Sequence, residues 1–248
     1  MTERGAAPPD GYVRVTSGRC AVITLSDHAD DARALLAEGT LYEAAARDLS
    51  AHRLHGRGIA YAIALPVSRE RVVIRHNRHG GLLSAATRDL FLPPTRAPYE
   101  LSVSRRLADA GVRTPTVVMY GITNAALLFR RADVATREVV GGRDLGSYLA
   151  PEIADAERSR AWEATRMLVR ALNDAGARHH DLNVKNVLLA RRDAELDAYI
   201  LDVDRVTFHE QMATVRKGNR DRLLRSARKW RDERGASVDE REILALDD

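Results

Sequence analysis

The stretch that decides the fold is "ARHHDLNVKNVLLARRDAELDAYILDVDR", residues 177–205. It contains two aliphatic runs, "VLLA" and "AYIL", each with the composition of a short buried β-strand. Polar residues flank these runs: His179, Asp181 and Asn186 come before the first, and Asp202 and Asp204 follow the second. Polar side chains held at strand ends are costly unless they bind something. The stretch therefore predicts a site for a metal ion and a nucleotide.

The segment "HHDLNVKN" matches the pattern His-x-Asp-Leu-x-x-x-Asn, which is the catalytic loop of protein kinases and of related small-molecule kinases. In that loop the Asp accepts the proton of the attacking hydroxyl, and the Asn binds a metal ion on the nucleotide phosphates. We therefore predict Asp181 as the catalytic base and Asn186 as a metal ligand. Asp202 stands where kinases carry Asp-Phe-Gly and is predicted to bind Mg²⁺, an ion that prefers oxygen ligands.

The first half of the chain has the pattern of an antiparallel sheet with packed helices. Residues 12–25 predict a hairpin, and a helix follows to about residue 49 with a break at Gly39. A second hairpin is predicted from Ile59 to Ile74, and the helix in "APYELSVSRRLADAG" ends at Gly111. Two further strands are expected in residues 114–134, with a turn at residues 121–124.

The second half changes to a mainly helical pattern after about residue 140. We therefore predict an α+β, two-lobed protein-kinase-like fold, with a small antiparallel-sheet N-lobe and a reduced helical C-lobe. The predicted ranges are 1–10 for a flexible N-terminus, 11–140 for the N-lobe and 141–248 for the C-lobe.

The predicted N-lobe contains candidates for nucleotide binding. The strand "RVVIRH" resembles the Val-Ala-Ile-Lys strand of kinases, with Arg75 in place of the phosphate-binding lysine. Glu100 in the next helix is placed to pair with Arg75, although a surface charge is the alternative. Gly56 and Gly58 in "HGRGIAY" form a thin version of the glycine-rich loop over the nucleotide phosphates; a hairpin turn explains two glycines equally well.

Composition is that of an ordinary globular protein of 248 residues, with 45% hydrophobic and 30% charged residues. The single cysteine, Cys20, excludes an internal disulfide. No apolar run approaches the roughly 20 residues that span a bilayer, and the N-terminus has no hydrophobic signal core, so we expect a cytoplasmic protein. Residues 215–235 carry nine Arg or Lys and three Asp or Glu, which predicts either contact with phosphate or anionic lipid or a solvated helix face.

Several segments together resemble a known family. The segments "RVVIRHNRHGGLL", "GGRDLGSYL", "HHDLNVKNVLL", "ILDVDR" and "NRDRLLRSARKW" occur in the order seen in bacterial lipopolysaccharide kinases. The resemblance covers about residues 11–231 and is closest to the 3-deoxy-D-manno-octulosonic acid (Kdo) kinases. Its more specific marks are Asp-x-Asp at residues 202–204 and the loop Arg-x-x-Arg-x-Gly-Gly at residues 75–81. The loop lacks the aromatic residue often found after its Arg-His, which leaves its acceptor contacts open.

This resemblance implies ATP-dependent phosphorylation of a hydroxyl of Kdo on lipid A-linked inner-core lipopolysaccharide, with ATP and Mg²⁺ as the cofactors. It maps the base onto Asp181, the metal ligands onto Asn186 and Asp202, and the nucleotide-positioning pair onto Arg75 and Glu100. It also implies peripheral contact with the anionic surface at the cytoplasmic face of the inner membrane, and no nucleic-acid partner.

Three alternatives share some of these motifs. A lipopolysaccharide core heptose kinase of the same family shares all of them. An antibiotic or choline-type phosphotransferase uses the same catalytic loop, but the Asp-x-Asp and the arginine-glycine loop argue against it. The third alternative is a pseudokinase that only binds its ligand. Arg75 at the lysine position favours it, whereas the presence of Asp181, Asn186 and Asp202 argues against it.

Overall fold

An antiparallel sheet forms most of the first half of the chain in the computed structural model, which describes residues 7–55, 58–77, 94–126, 129–193 and 195–244. Its strand order is β1-β2-β6-β7-β5-β4-β3. The strands are β1 Tyr12–Ser17, β2 Cys20–Leu25, β3 His52–His55, β4 Ile59–Ala64, β5 Arg71–His76, β6 Val117–Ala126 and β7 Phe129–Arg137.

Both faces of this sheet are covered, which explains why the first five residues of strand β2 are all buried. On one face Val22 and Ile63 pack against helices α1 (Ala29–Ala37) and α2 (Leu41–Arg47). On the other face Ile23 packs with the start of helix α3 (Ala97–Asp109). The expected break between α1 and α2 lies at Gly39, whose φ is 134°, and Thr40 caps α2 by accepting a hydrogen bond from the backbone of Glu43.

The expected turn at residues 121–124 is wrong. Strand β6 runs through this segment and pairs with β7 from Val117 opposite Thr136 to Ala126 opposite Phe129. Gly121 has a packing role instead, because a Cβ atom there would lie 3.3 Å from Leu41 Cδ1. The glycine therefore marks a close approach of helix α2 to the sheet.

The second half contains two small sheets and four helices within residues 139–193 and 195–244. One sheet has the order β11-β10-β8 and the other pairs β12 with β9. The strands are β8 Arg143–Asp144, β9 Ala177–His179, β10 Val187–Arg192, β11 Glu195–Ile200 and β12 Val206–Phe208, and the helices are α4 Leu145–Tyr148, α5 Asp155–Asp174, α6 Met212–Arg234 and α7 Glu240–Leu244. The hairpin β10–β11 matches the two aliphatic runs that the sequence predicted as strands.

The chain divides into two units, one of Met1–Leu101 with Thr116–Glu138 and one of Ser102–Pro115 with Val139–Asp248. The predicted lobe boundary at residue 140 stays a prediction. The prediction placed residues 102–115 in the N-lobe, whereas this division assigns them to the second unit. Their place follows from packing: Val103, Leu107 and Val112 belong to the hydrophobic core that also contains Leu172 and Ile200.

Candidate active site

His179, at the end of β9, connects the predicted catalytic loop to the segment that leads into Asp202. Its ring is fully buried, with Nδ1 3.1 Å from the backbone nitrogen of Asp181 and Nε2 2.9 Å from the carbonyl oxygen of Leu201. Because Nδ1 accepts the Asp181 N–H, the ring proton is on Nε2 and is donated to Leu201. Burial lowers the pKa of His179, which favours this neutral form. One side chain thus fixes the backbone of Asp181 and of the residue before Asp202.

Two asparagine side chains fix the shape of the loop from Asp181 to Asn186. The Oδ1 atom of Asn183 accepts hydrogen bonds from the backbone nitrogens of Lys185 (2.9 Å) and Asn186 (3.1 Å). The Nδ2 atoms of Asn183 and Asn186 both donate to the carbonyl oxygen of Asp181 at 2.9 Å. The amide nitrogen of Asn186 is therefore used within the loop, and its amide oxygen is the atom that can face a cation.

The β10–β11 hairpin brings Asn186 and Asp202 to the same end of a sheet. Val187 pairs with Ile200, and the backbone nitrogen of Leu201 donates to the carbonyl oxygen of Asn186 at 2.8 Å. Asp202 then takes a left-handed conformation with φ 54° and ψ 46°, which Asp tolerates better than most residues. The prediction that the hairpin places these two residues side by side is in line with this register.

The donor set at this sheet end is compatible with a nucleotide-bound Mg²⁺ ion. Within the described ranges the Asp202 carboxylate has no hydrogen-bond or ion-pair partner in the chain. No group of three or more His, Cys, Asp or Glu residues suited to hold a metal is found in the same part of the chain. Mg²⁺ usually binds through one or two protein oxygens, with phosphates and water completing its coordination, so Asn186 and Asp202 suffice for it.

Arg222 of helix α6 is a member of the site that the sequence did not predict. Its Nη2 atom lies 2.5 Å from Oδ1 of Asp181, and the two side chains are 37% and 21% exposed, respectively. Protein kinases that act on serine or threonine carry Lys two positions after the catalytic Asp, where this chain has Asn183. The cation beside Asp181 comes instead from a helix 41 residues further along the chain.

Asn219, also on α6, holds that helix against the strand before the loop. It is fully buried, and its Oδ1 atom accepts the backbone N–H of His179 at 2.9 Å. Its Nδ2 atom donates to the carbonyl oxygen of Ala177 and to Oδ1 of Asn173, both at 2.9 Å. A sequence signal for this residue exists: it occupies the buried face marked by Val215, Leu223 and Ala227, where a polar residue needs internal partners.

The first unit contains the predicted pair of Arg75 and Glu100 in contact. Nη2 of Arg75, on β5, lies 2.5 Å from Oε1 of Glu100, in the first turn of α3. Nη1 of Arg75 donates to Oδ1 of Asn77 at 3.0 Å. Glu100 is only 3% exposed, so it is not a surface charge. The contact is a fact of the structure, and its role in nucleotide binding stays a prediction.

The predictions on the glycine-rich loop are only partly covered by the described residues. Gly58 lies in a bend directly before β4. Gly56, and also Arg78, Gly80 and Gly81 of the arginine-glycine loop, lie outside the described residues, so the predictions made for them stay open.

Comparison with known sequences gives a consistent set of relatives. The model of the lipopolysaccharide kinase (Kdo/WaaP) family matches residues 50–244. A 3-deoxy-D-manno-octulosonic acid kinase of Stenotrophomonas maltophilia (strain K279a) is 30% identical over 195 residues, which cover 77% of this chain and 74% of the relative. The enzyme of the same name from Vibrio parahaemolyticus is 27% identical over 195 residues, covering 77% of this chain and 78% of the relative.

Among solved structures, the chain is similar to the one titled "WaaP in complex with acyl carrier protein". The TM-score is 0.53 at 17% sequence identity, and the match covers 87% of this chain and 83% of that chain. This similarity confirms the predicted α+β, two-lobed protein-kinase-like fold.

Proposed function

We propose that this chain, which belongs to the lipopolysaccharide kinase (Kdo/WaaP) family, transfers the γ-phosphate of ATP to a hydroxyl of Kdo on lipid A-linked inner-core lipopolysaccharide. The observation that carries this proposal is the loop from Asp181 to Asn186, whose hydrogen bonds present a carboxylate and an amide oxygen at the end of a sheet that also holds Asp202. Kdo kinases are the relatives that resemble the chain over about three quarters of its length.

In this mechanism Asp181 performs the proton transfer. Its carboxylate accepts the proton of the sugar hydroxyl while the hydroxyl oxygen attacks the γ-phosphorus of ATP, and ADP leaves with the electrons of the broken P–O bond. His179 holds the backbone of Asp181, and Arg222 holds its carboxylate, so the base is positioned before the substrate arrives. Positioning of this kind supplies much of the rate enhancement in phosphoryl transfer.

Asn186 and Asp202 would hold Mg²⁺ through their side-chain oxygens. When bound, the ion neutralises charge on the nucleotide phosphates. We assign nucleotide positioning to Arg75, kept in place by the buried Glu100, and cover of the phosphates to the segment that contains Gly56 and Gly58. An arginine is not equivalent to the usual lysine, because its planar guanidinium can bind a phosphate through two parallel hydrogen bonds.

We further propose peripheral association with the cytoplasmic face of the inner membrane. The support is helix α6 (Met212–Arg234), which contains the nine basic residues of segment 215–235 and has several of them exposed. Basic helices of this kind are attracted to anionic lipid headgroups. No helix in the part of the chain that the structure describes is long and apolar enough to cross a membrane.

The test is phosphate transfer from radiolabelled ATP in the presence of Mg²⁺, with two acceptors offered separately: Kdo-bearing lipid A and a heptose-containing core lipopolysaccharide whose Kdo is already phosphorylated. We expect label on the first acceptor and a product mass increased by one phosphate. Label on the second acceptor alone would replace the proposal by the heptose kinase. Binding of ATP without label on either acceptor would replace it by the pseudokinase.

A further inference from the structure

Next to Asp181 lies a group of basic side chains, of which the proposed phosphoryl-transfer mechanism uses only Arg222. Thr207 of β12 is its centre: its hydroxyl oxygen lies 2.7 Å from Nε2 of His180 and 2.7 Å from Nε2 of His209. Strands β9 and β12 pair so that Arg178 is directly opposite Thr207, which places the two side chains on the same face of the sheet. We name Arg178, His180, His209 and Arg222 the cationic cluster.

The side chain of Arg178 lies against Gly218 of helix α6. A Cβ atom at Gly218 would lie 2.7 Å from Nε of Arg178, so a larger residue there would force the arginine side chain to shift. A glycine inside a helix lowers its stability by about 1 kcal/mol relative to alanine. Gly218 and Arg222 are four residues apart and therefore lie on one face of α6. The Arg178 side chain thus lies against the face of α6 that also carries Arg222.

The charges of the cluster are not balanced from within. Among the described residues the Arg178 guanidinium forms no hydrogen bond or ion pair, whereas Arg222 binds Asp181. The pKa of His180 lies below its ordinary value because burial and the positive charges of Arg178, His209 and Arg222 disfavour its protonated form. The two guanidinium groups beside a histidine whose protonated form is disfavoured form a site of positive potential, which an anion would stabilise.

We propose that the cationic cluster binds an anionic group of the acceptor, carboxylate or phosphate, and so holds the acceptor hydroxyl at Asp181. The proposal rests on the proposed function, since Kdo is an acid and lipid A carries phosphate. Arginine can bind either group through two parallel hydrogen bonds. An anion held by Arg178 would lie at the face of α6 from which Arg222 contacts the Asp181 carboxylate. The cluster would therefore orient the acceptor as well as attract it.

The informative variant is Arg178→Met, because it removes the guanidinium, leaves Gly218 free of a clash and does not touch Asp181. Arg192→Met is the matched control: it removes the same group from an exposed position of the same unit, at the end of β10, where the side chain is 75% exposed. We expect Arg178→Met to raise KM for Kdo-bearing lipid A by about tenfold or more, as loss of a charged hydrogen bond does. The KM for ATP and the unfolding midpoint of Arg178→Met should stay at the wild-type values. In Arg192→Met the KM for Kdo-bearing lipid A, the KM for ATP and the unfolding midpoint should all stay at the wild-type values.

The chemical source of the anion is resolved by repeating the comparison with two modified acceptors. If the wild type loses affinity for a carboxyl-reduced acceptor and Arg178→Met then causes no further loss, the carboxylate is the ligand. The same result with a dephosphorylated lipid A assigns the phosphate. If Arg178→Met has the wild-type KM for the intact acceptor, or raises KM equally for all three acceptors, the inference is overturned. Its failure is distinct from that of the proposed function, in which the wild type itself would transfer no phosphate to the Kdo-bearing lipid.

Discussion

Replacement of Asn219 by alanine is expected to destabilise the second unit strongly, although the residue touches no proposed substrate. Three buried polar groups lose their partner: the backbone N–H of His179, the carbonyl of Ala177 and the amide oxygen of Asn173. Each buried group left without a partner costs about 1–3 kcal/mol, and the cavity adds to this. We expect the free energy of unfolding to fall by about 3–9 kcal/mol, a large part of the roughly 5–15 kcal/mol typical of a domain.

Urea denaturation followed by circular dichroism measures this loss, and two further variants show its origin. Asn219→Asp has nearly the same size and keeps the acceptor for His179 N–H, but it loses both donated hydrogen bonds and buries a charge. It should therefore be destabilised at least as much as Asn219→Ala. Arg216→Ala, at an exposed position of the same helix, should stay within about 0.5 kcal/mol of wild type. A stability of Asn219→Asp close to wild type would refute the hydrogen-bond account and leave only packing.

Three more predictions concern the metal, the nucleotide and pH. Asp202→Asn removes the carboxylate, and asparagine tolerates the left-handed backbone of this position as aspartate does. The variant should lower kcat by about a hundredfold or more and raise the Mg²⁺ concentration needed for half-maximal activity. An unchanged Mg²⁺ dependence would contradict the assignment of Asp202 as a ligand. Glu100→Gln weakens the contact that holds Arg75 and should lower kcat/KM for ATP by about tenfold to a hundredfold, with an unaltered KM for the acceptor as the control. Burial lowers the pKa of His179 below its ordinary 6.5. At a pH below 6.5 the unfolded state therefore binds one proton more than the folded state, so the free energy of unfolding falls as the pH falls. His179→Gln should lack this slope of at most about 1.4 kcal/mol per pH unit, measured by urea denaturation between about pH 5 and 7; equal slopes would contradict a buried neutral ring.

The parts of the fold that the sequence predicted are those encoded by short-range patterns. The hairpin β10–β11 follows from two aliphatic runs and the polar turn between them, and the catalytic loop follows from the spacing of His179, Asp181 and Asn186 within eight residues. Helix α6 contains residues 215–234 of the basic segment and lies in the half of the chain for which the sequence predicts a mainly helical pattern. Such features depend on neighbours in the chain, which periodicity reports directly.

The features that the sequence did not predict depend on contacts between distant segments. The pattern predicts a turn at Gly121, whereas the residue lies inside β6, where a Cβ atom would come 3.3 Å from Leu41 Cδ1. The contact of Arg222 with Asp181 joins residues 41 positions apart, and periodicity contains no information about it. Strand β3 has only exposed side chains, so it lacks the buried alternation that identifies a strand. In each case the partner, and not the local pattern, decides the structure.

The central claim is that Asp181 is the base of a phosphoryl transfer from ATP to Kdo. Its most direct test compares wild type and Asp181→Asn in the same assay, measuring ATP binding by calorimetry and label transfer to Kdo-bearing lipid A. We expect Asp181→Asn to bind ATP with the wild-type affinity and to transfer phosphate about a thousandfold more slowly. Transfer at the wild-type rate by Asp181→Asn would contradict it.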